Sequence, residues 1–202
     1  MRAHKYLFPK EIVIVVRMRI LIATPLDPPD IAPSALYVKE YARRLGVHHH
    51  VTILAYGHIP EVIPNVRIVT IEKSGSLLVR MFQFFRMLLK EARSVDVVIV
   101  ENGPSVEVPF VFASLLIWKK KILEVSDTVA QAHASTSRLY RALHTASRTL
   151  AHDVRTTSTT SSFPPPRPDI HPFKPYPEKE YTEYEESWDT HMTITESFLK
   201  KI

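Results

Sequence analysis

Short apolar runs alternate along this chain with longer segments whose apolar residues recur every three or four positions. Ile20, Leu21, Ile22 and Ala23 form the first run, within a strand predicted at about Arg19 to Thr24. A Pro-rich loop follows. Leu36, Val38, Tyr41, Ala42 and Leu45 then mark one side of a helix, with Ser34 placed to cap it and Gly46 to stop it. His50 to Ala55 reads as strand two. Ile63-Pro64-Asn65 turns into strand three, Val66 to Ile71, whose weak alternation predicts cover on both faces. Ser76 to Arg93 is a helix. Asp96 to Val100 is strand four, a continuous apolar run and so central. The loop Glu101-Asn102-Gly103-Pro104 leads to a helix ending near Trp118, and strand five spans Ile122 to Val125. Ser126-Asp127-Thr128 opens a further helix to about Leu150, and a short strand lies near Val154 to Ser158. This alternation predicts an α/β fold: a single Rossmann-like domain with a mostly parallel sheet and right-handed crossovers.

The pattern then changes. Thr156 to Ser162 are all hydroxyl residues, and Pro164 to Pro177 contains seven prolines, an extended connector. Beyond it Tyr181, Tyr184, Trp188, Met192, Thr195, Leu199 and Ile202 fall on one helical face. A stripe holding Trp and Tyr must cover a surface, so this helix is expected to dock back on the body. The expected organisation is an N-terminal extension or edge strand at 1–17, a Rossmann-like domain at 18–160, a Pro-rich connector at 161–177 and a C-terminal crossover helix at 178–202.

Composition narrows the chemistry. The chain has 202 residues, 45% of them apolar, enough for a substantial core. Its four glycines are too scattered to form a Gly-rich phosphate cradle, so neither a P-loop nor the dinucleotide fingerprint is present. There is no cysteine, which removes thiol chemistry and zinc–thiolate sites. The net charge of +5 suits nucleotides, phosphosugars or an anionic membrane face, and equally an ordinary solvated surface. The apolar run Ile12 to Val16 is far too short to span a bilayer, and no signal peptide is legible. His48, His49 and His50 are adjacent and point in different directions, so they read as an exposed turn and not a metal site. No metal, cofactor or nucleic-acid partner is expected, and a cytoplasmic location is.

The helix at 76–93 has two readings. Arg80, Gln83, Arg86, Lys90 and Arg93 draw one polar, basic stripe, and Met81, Phe82, Phe84, Phe85 and Leu88 lie on the wide remaining face. A crossover helix needs such a broad buried face. A helix lying peripherally on a membrane has the same pattern.

The strand–loop phrase Thr24 to Pro28-Pro29 resembles the start of a family-4-type glycosyltransferase of the GT-B fold. Pro166-Arg167-Pro168-Asp169, with Phe173 and Pro175, resembles that family's interdomain connector, and the helix carrying Trp188 resembles its terminal helix. The resemblance implies an acceptor-side half of a sugar transferase whose C-terminal donor-binding domain is missing, a truncated unit inactive alone. It implies a nucleotide-sugar-binding partner chain, and a sugar or lipid-linked acceptor. Departures are equally legible. Ala32-Pro33 stands where the family has a Gly-Gly turn, Glu101 follows strand four where a His-x-His-like phrase is common, and Ser126 replaces the His of a Thr-Val-His-Asp-like phrase while Asp127 matches. Glu178 and Glu186 have the spacing of the family's donor-domain carboxylates, but in an acidic segment they read as a solvated face.

Ligands of open α/β sheets sit beyond the carboxyl ends of the strands. Thr24, Asp27, Ser34 and Ser126 are therefore the candidate ligand-binding residues, and Glu101 and Asp127 the candidate catalytic ones. Asp127 reads equally well as a helix cap, and Glu101 as a turn residue. Three functions stay open: half of a glycosyltransferase completed by a partner, a non-catalytic binding or scaffolding module derived from one, and an unrelated nucleotide-binding α/β protein. The absent glycine loop counts against the third. A homodimer formed through the C-terminal helix is a further expectation if the helix does not dock on its own body.

Overall fold

The computed structural model describes residues 17–25, 33–57, 62–125, 136–156 and 178–201. Six parallel strands form one sheet in the order β3-β2-β1-β4-β5-β6. They are β1 (Arg19–Ala23), β2 (His50–Tyr56), β3 (Val66–Ile71), β4 (Val97–Glu101), β5 (Lys120–Val125) and β6 (Asp153–Thr156). Five described helices cover it: α1 (Pro33–Leu45), α2 (Leu77–Ala92), α3 (Pro104–Ser114), α4 (Arg138–Leu150) and α5 (Glu178–Leu199). This is the doubly wound, Rossmann-like arrangement that the alternation of elements predicts.

Strand alternation sorts the core into two layers. Leu21, Ala23, Val98, Val100 and Leu123 face α2 and α3, meeting Phe84, Leu88 and Phe110. Ile20, Ile22, Ile53, Ile99 and Ile122 face the other way, meeting Val38, Tyr41 and Leu45 of α1 and Tyr184, Trp188 and Leu199 of α5. The described residues of the β2–β3 connection contain no helix, so the α1 side of the sheet is left short of cover. Helix α5 supplies that cover. Trp188, 2% exposed, is among the largest buried side chains, and burying it contributes roughly 3 kcal/mol.

Two expectations need correcting. Strand β3 lies at the edge of the sheet, with Val66, Ile68, Val69 and Thr70 only partly buried. Its weak alternation reflects that half-cover, not burial on both faces. His49 is buried, not part of an exposed turn. Its Nδ1 accepts from the Met18 amide at 3.2 Å, and its Nε2 lies 2.9 Å from Glu196 on α5. His48 and His50 are exposed.

Candidate functional site

The strand order reverses direction between β1 and β4, and the crevice above that point is where open α/β sheets hold ligands. Thr24 leaves β1 there, and Glu101 is the last residue of β4. Both are buried, and Thr24 Oγ1 donates to Glu101 Oε2 at 2.5 Å. Two of the residues singled out from the sequence thus meet, although 77 positions separate them. The Thr24 amide donates to Leu54 O at 3.0 Å, so the backbone is tied to β2 as the chain leaves the sheet.

Register extends this pair into a row. Glu101 is opposite Glu124 on β5, and Glu124 is opposite Arg155 on β6. Residues opposite one another in a sheet share a face, here the face under α1 and α5. Glu124 Oε2 accepts from Tyr37 Oη of α1 at 3.1 Å, and Arg155 Nη1 stands 3.6 Å from Glu124 Oε1. Arg155 also donates to Thr195 Oγ1 at 2.9 Å and to Asp153 at 3.2 Å. Tyr37 Oη lies 2.9 Å from His191 Nε2, which brings α5 into the same network.

Burial dominates the electrostatics of this row. It pushes the Glu124 carboxyl above the usual carboxylate range, against the pull of Arg155 and Tyr37. It raises the Tyr37 phenol well above its ordinary value, reinforced by Glu124, Tyr41 and Glu101, so Tyr37 remains a proton donor.

The loop after β4 is held from the other face of the sheet. Gly103 caps α3 at φ 154°, ψ 138°, and a Cβ there would stand 3.3 Å from Pro25 Cγ. Glycine permits the loops after β1 and β4 to approach that closely. Glu107, fully buried in the first turn of α3, accepts from the Gly103 amide at 3.3 Å and from Tyr140 Oη, and lies 2.6 Å from His144 Nδ1. Tyr56 Oη donates to Ser105 O at 2.9 Å. These bonds tie the loop after β4 and the start of α3 to α4 and β2.

Asp27, Ser126 and Asp127 lie outside the described residues, as does the side chain of Ser34. The sequence reading missed Glu107, Glu124, Tyr37, Arg155 and His144. For Glu124 a signal existed: like Glu101, it is a carboxylate near the end of an apolar strand run. Among the described residues no group of three His, Cys, Asp or Glu is arranged to hold a metal. No helix of the described residues is long and apolar enough to cross a membrane.

No family model matches the chain, and no curated protein matches it significantly. Solved structures resemble it at low identity. A Listeria monocytogenes protein assigned as a UDP-N-acetylglucosamine 2-epimerase is 12% identical, with a TM-score of 0.48, over 69% of this chain and 39% of that one. The Anabaena protein HepE, in complex with UDP and glucose, is 13% identical at a TM-score of 0.47 over 80% of this chain and 48% of its own. The C-terminal domain of the coenzyme A biosynthesis bifunctional protein CoaBC is 13% identical at 0.47, over 92% and 97%. The chain therefore spans less than half the length of the first two.

Proposed function

We propose that this chain is the acceptor-side domain of a GT-B-type, family-4-like sugar transferase, which works only with a nucleotide-sugar-binding domain. The observation that carries the reading is the Thr24–Glu101 bond beside the switch point, which puts a hydroxyl and a carboxylate where such sheets take ligands. The resemblance of the first loop, the Pro-rich connector and the Trp188 helix supports the sugar-transferase assignment over other α/β chemistries. In this reading Thr24, Asp27, Ser34 and Ser126 contact the acceptor, and Glu101 or Asp127 serves the acceptor hydroxyl.

The test is chemical-shift mapping with sugar acceptors, together with turnover of UDP- and GDP-sugars. Acceptors should perturb the amides of Thr24, Asn102 and Gly103, and the chain alone should not turn over nucleotide-sugars. Perturbation confined to the amino-terminal edge of the sheet, or turnover by the chain alone, would sink the reading.

A non-catalytic binding or scaffolding module is the second reading. It is favoured by Pro33, which stands in place of a Gly of the family's turn and begins α1, removing a backbone donor near the crevice. Acceptor binding with no transfer, even when a donor-binding domain is supplied, would decide for it.

A further inference from the structure

Helices α2 and α3 run side by side on one face of the sheet, and their outer surface is both apolar and basic. Leu78, Phe82, Arg86 and Lys90 recur every four residues along α2, and all four are exposed. Leu78 is 78% exposed and Phe82 59%. At the far end of α3, Leu115, Leu116 and Trp118 stand in the turn before β5, and Trp118 is 96% exposed. The buried face of α2 is satisfied by Phe84, Leu88 and Ala92, so these outer residues are not needed for the core.

Charge on this surface has one sign. The only acids on α2 and α3 are Glu91 and Glu107, and both are buried. Glu91 pairs with Arg67, and Glu107 is held by Tyr140 and His144. Arg86, Lys90 and Arg93 are exposed. Lys121 is turned inward, where its Nζ donates to Ser114 O at 3.1 Å and Ile117 O at 3.2 Å to close the end of α3. Exposed Trp and Leu side chains on a surface whose exposed charges are Arg86, Lys90 and Arg93, with exposed acids missing from both helices, complement a bilayer interface that is apolar within and negative at its surface.

We propose that the outer face of α2 and α3 docks the protein peripherally on an anionic phospholipid bilayer, with Phe82 and Trp118 entering the acyl boundary and Arg86, Lys90 and Arg93 meeting the headgroups. This inference stands apart from the sugar-transferase reading, because it uses none of the crevice residues.

The chain carries its own reporter. Its two tryptophans are Trp118 and Trp188, and Trp188 is buried against α1. The full chain is mixed with phosphatidylserine–phosphatidylcholine vesicles and, separately, with phosphatidylcholine alone. Co-sedimentation with the anionic vesicles is expected, falling as salt is raised, with a blue shift of emission and quenching by brominated acyl chains that Trp118→Phe abolishes. Lys90→Gln and Arg93→Gln should each lower partitioning about fivefold. Phe82→Ser and Trp118→Ser should each lower it at least about tenfold. These are surface changes, and an unaltered melting temperature checks that each variant is folded. Failure to bind anionic vesicles, or binding that these substitutions leave unchanged, overturns the proposal. A vesicle-free, concentration-dependent dimer that shields Trp118 overturns it in favour of a second copy of the chain.

Discussion

Tyr37 stacks on Trp188 with ring centroids 5.5 Å apart and planes 17° from parallel. One residue lies in α1 and the other in α5, so this contact ties together segments far apart in sequence across the α1 face. Arg44 reinforces it, with its guanidinium 5.1 Å from the Trp188 ring and 2.7 Å from Glu185. Trp188→Ala should therefore cost about 3 to 5 kcal/mol in urea unfolding. Ending the chain after Pro177 should lower the melting temperature further and leave a sticky apolar surface. A truncated chain as stable and monomeric as the whole would show that α5 is a handle for another molecule.

The Thr24–Glu101 bond predicts a measurable coupling. Thr24→Val takes a donor from a buried carboxylate and should destabilise by about 1 to 3 kcal/mol. Combined with Glu101→Gln in a double-mutant cycle, the two changes should be non-additive by at least about 0.5 kcal/mol. Strict additivity would mean that the contact contributes little.

Glu124 gives stability a pH dependence of known sign. Its carboxyl is raised in the folded chain, so the folded state binds this proton more tightly than the unfolded chain does. The resulting stabilisation is complete below the ordinary glutamate value of 4.5 and is lost as pH rises through the higher folded value. Glu124→Gln should remove this decline and keep the Tyr37 bond. Urea midpoints measured from mildly acidic to neutral pH would check it, and parallel curves for the two proteins would contradict it.

Glu107 holds together the amide of Gly103, Tyr140 and His144. Glu107→Ala strands those groups and opens a cavity, so a loss of about 3 kcal/mol or more is expected. Tyr140→Phe, which deletes one hydroxyl, should cost about 1 to 2 kcal/mol. Hydrogen exchange at Gly103 and Val106 should accelerate in the first variant and hardly in the second.

The order of elements was legible because continuous apolar runs separated by helical periodicity have few parallel solutions. The docking of α5 was legible for a similar reason, since Tyr184, Trp188 and Leu199 repeat on one face and need cover. That Thr24 and Glu101 come close to one another was legible from their positions just beyond β1 and at the end of β4. The rest of the polar row was hidden. Joining Glu124 to Arg155 requires the register of β5 against β6, and joining Tyr37 to His191 requires the position of one helix over another. Neither is written in a local pattern. His49 was misread for a related reason: its burial comes from Met18 and Glu196, distant in sequence on either side.

Because α5 closes the core over α1, the order of synthesis matters. A ribosome that has made residues 1–156 has already supplied the six described strands, yet the layer containing Ile20, Ile22 and Ile122 still lacks Tyr184, Trp188 and Leu199. The nascent domain therefore emerges with one side of its sheet only partly covered, and the last turn of α5 completes the layer. Until then that side is open to chaperones and to neighbouring nascent chains.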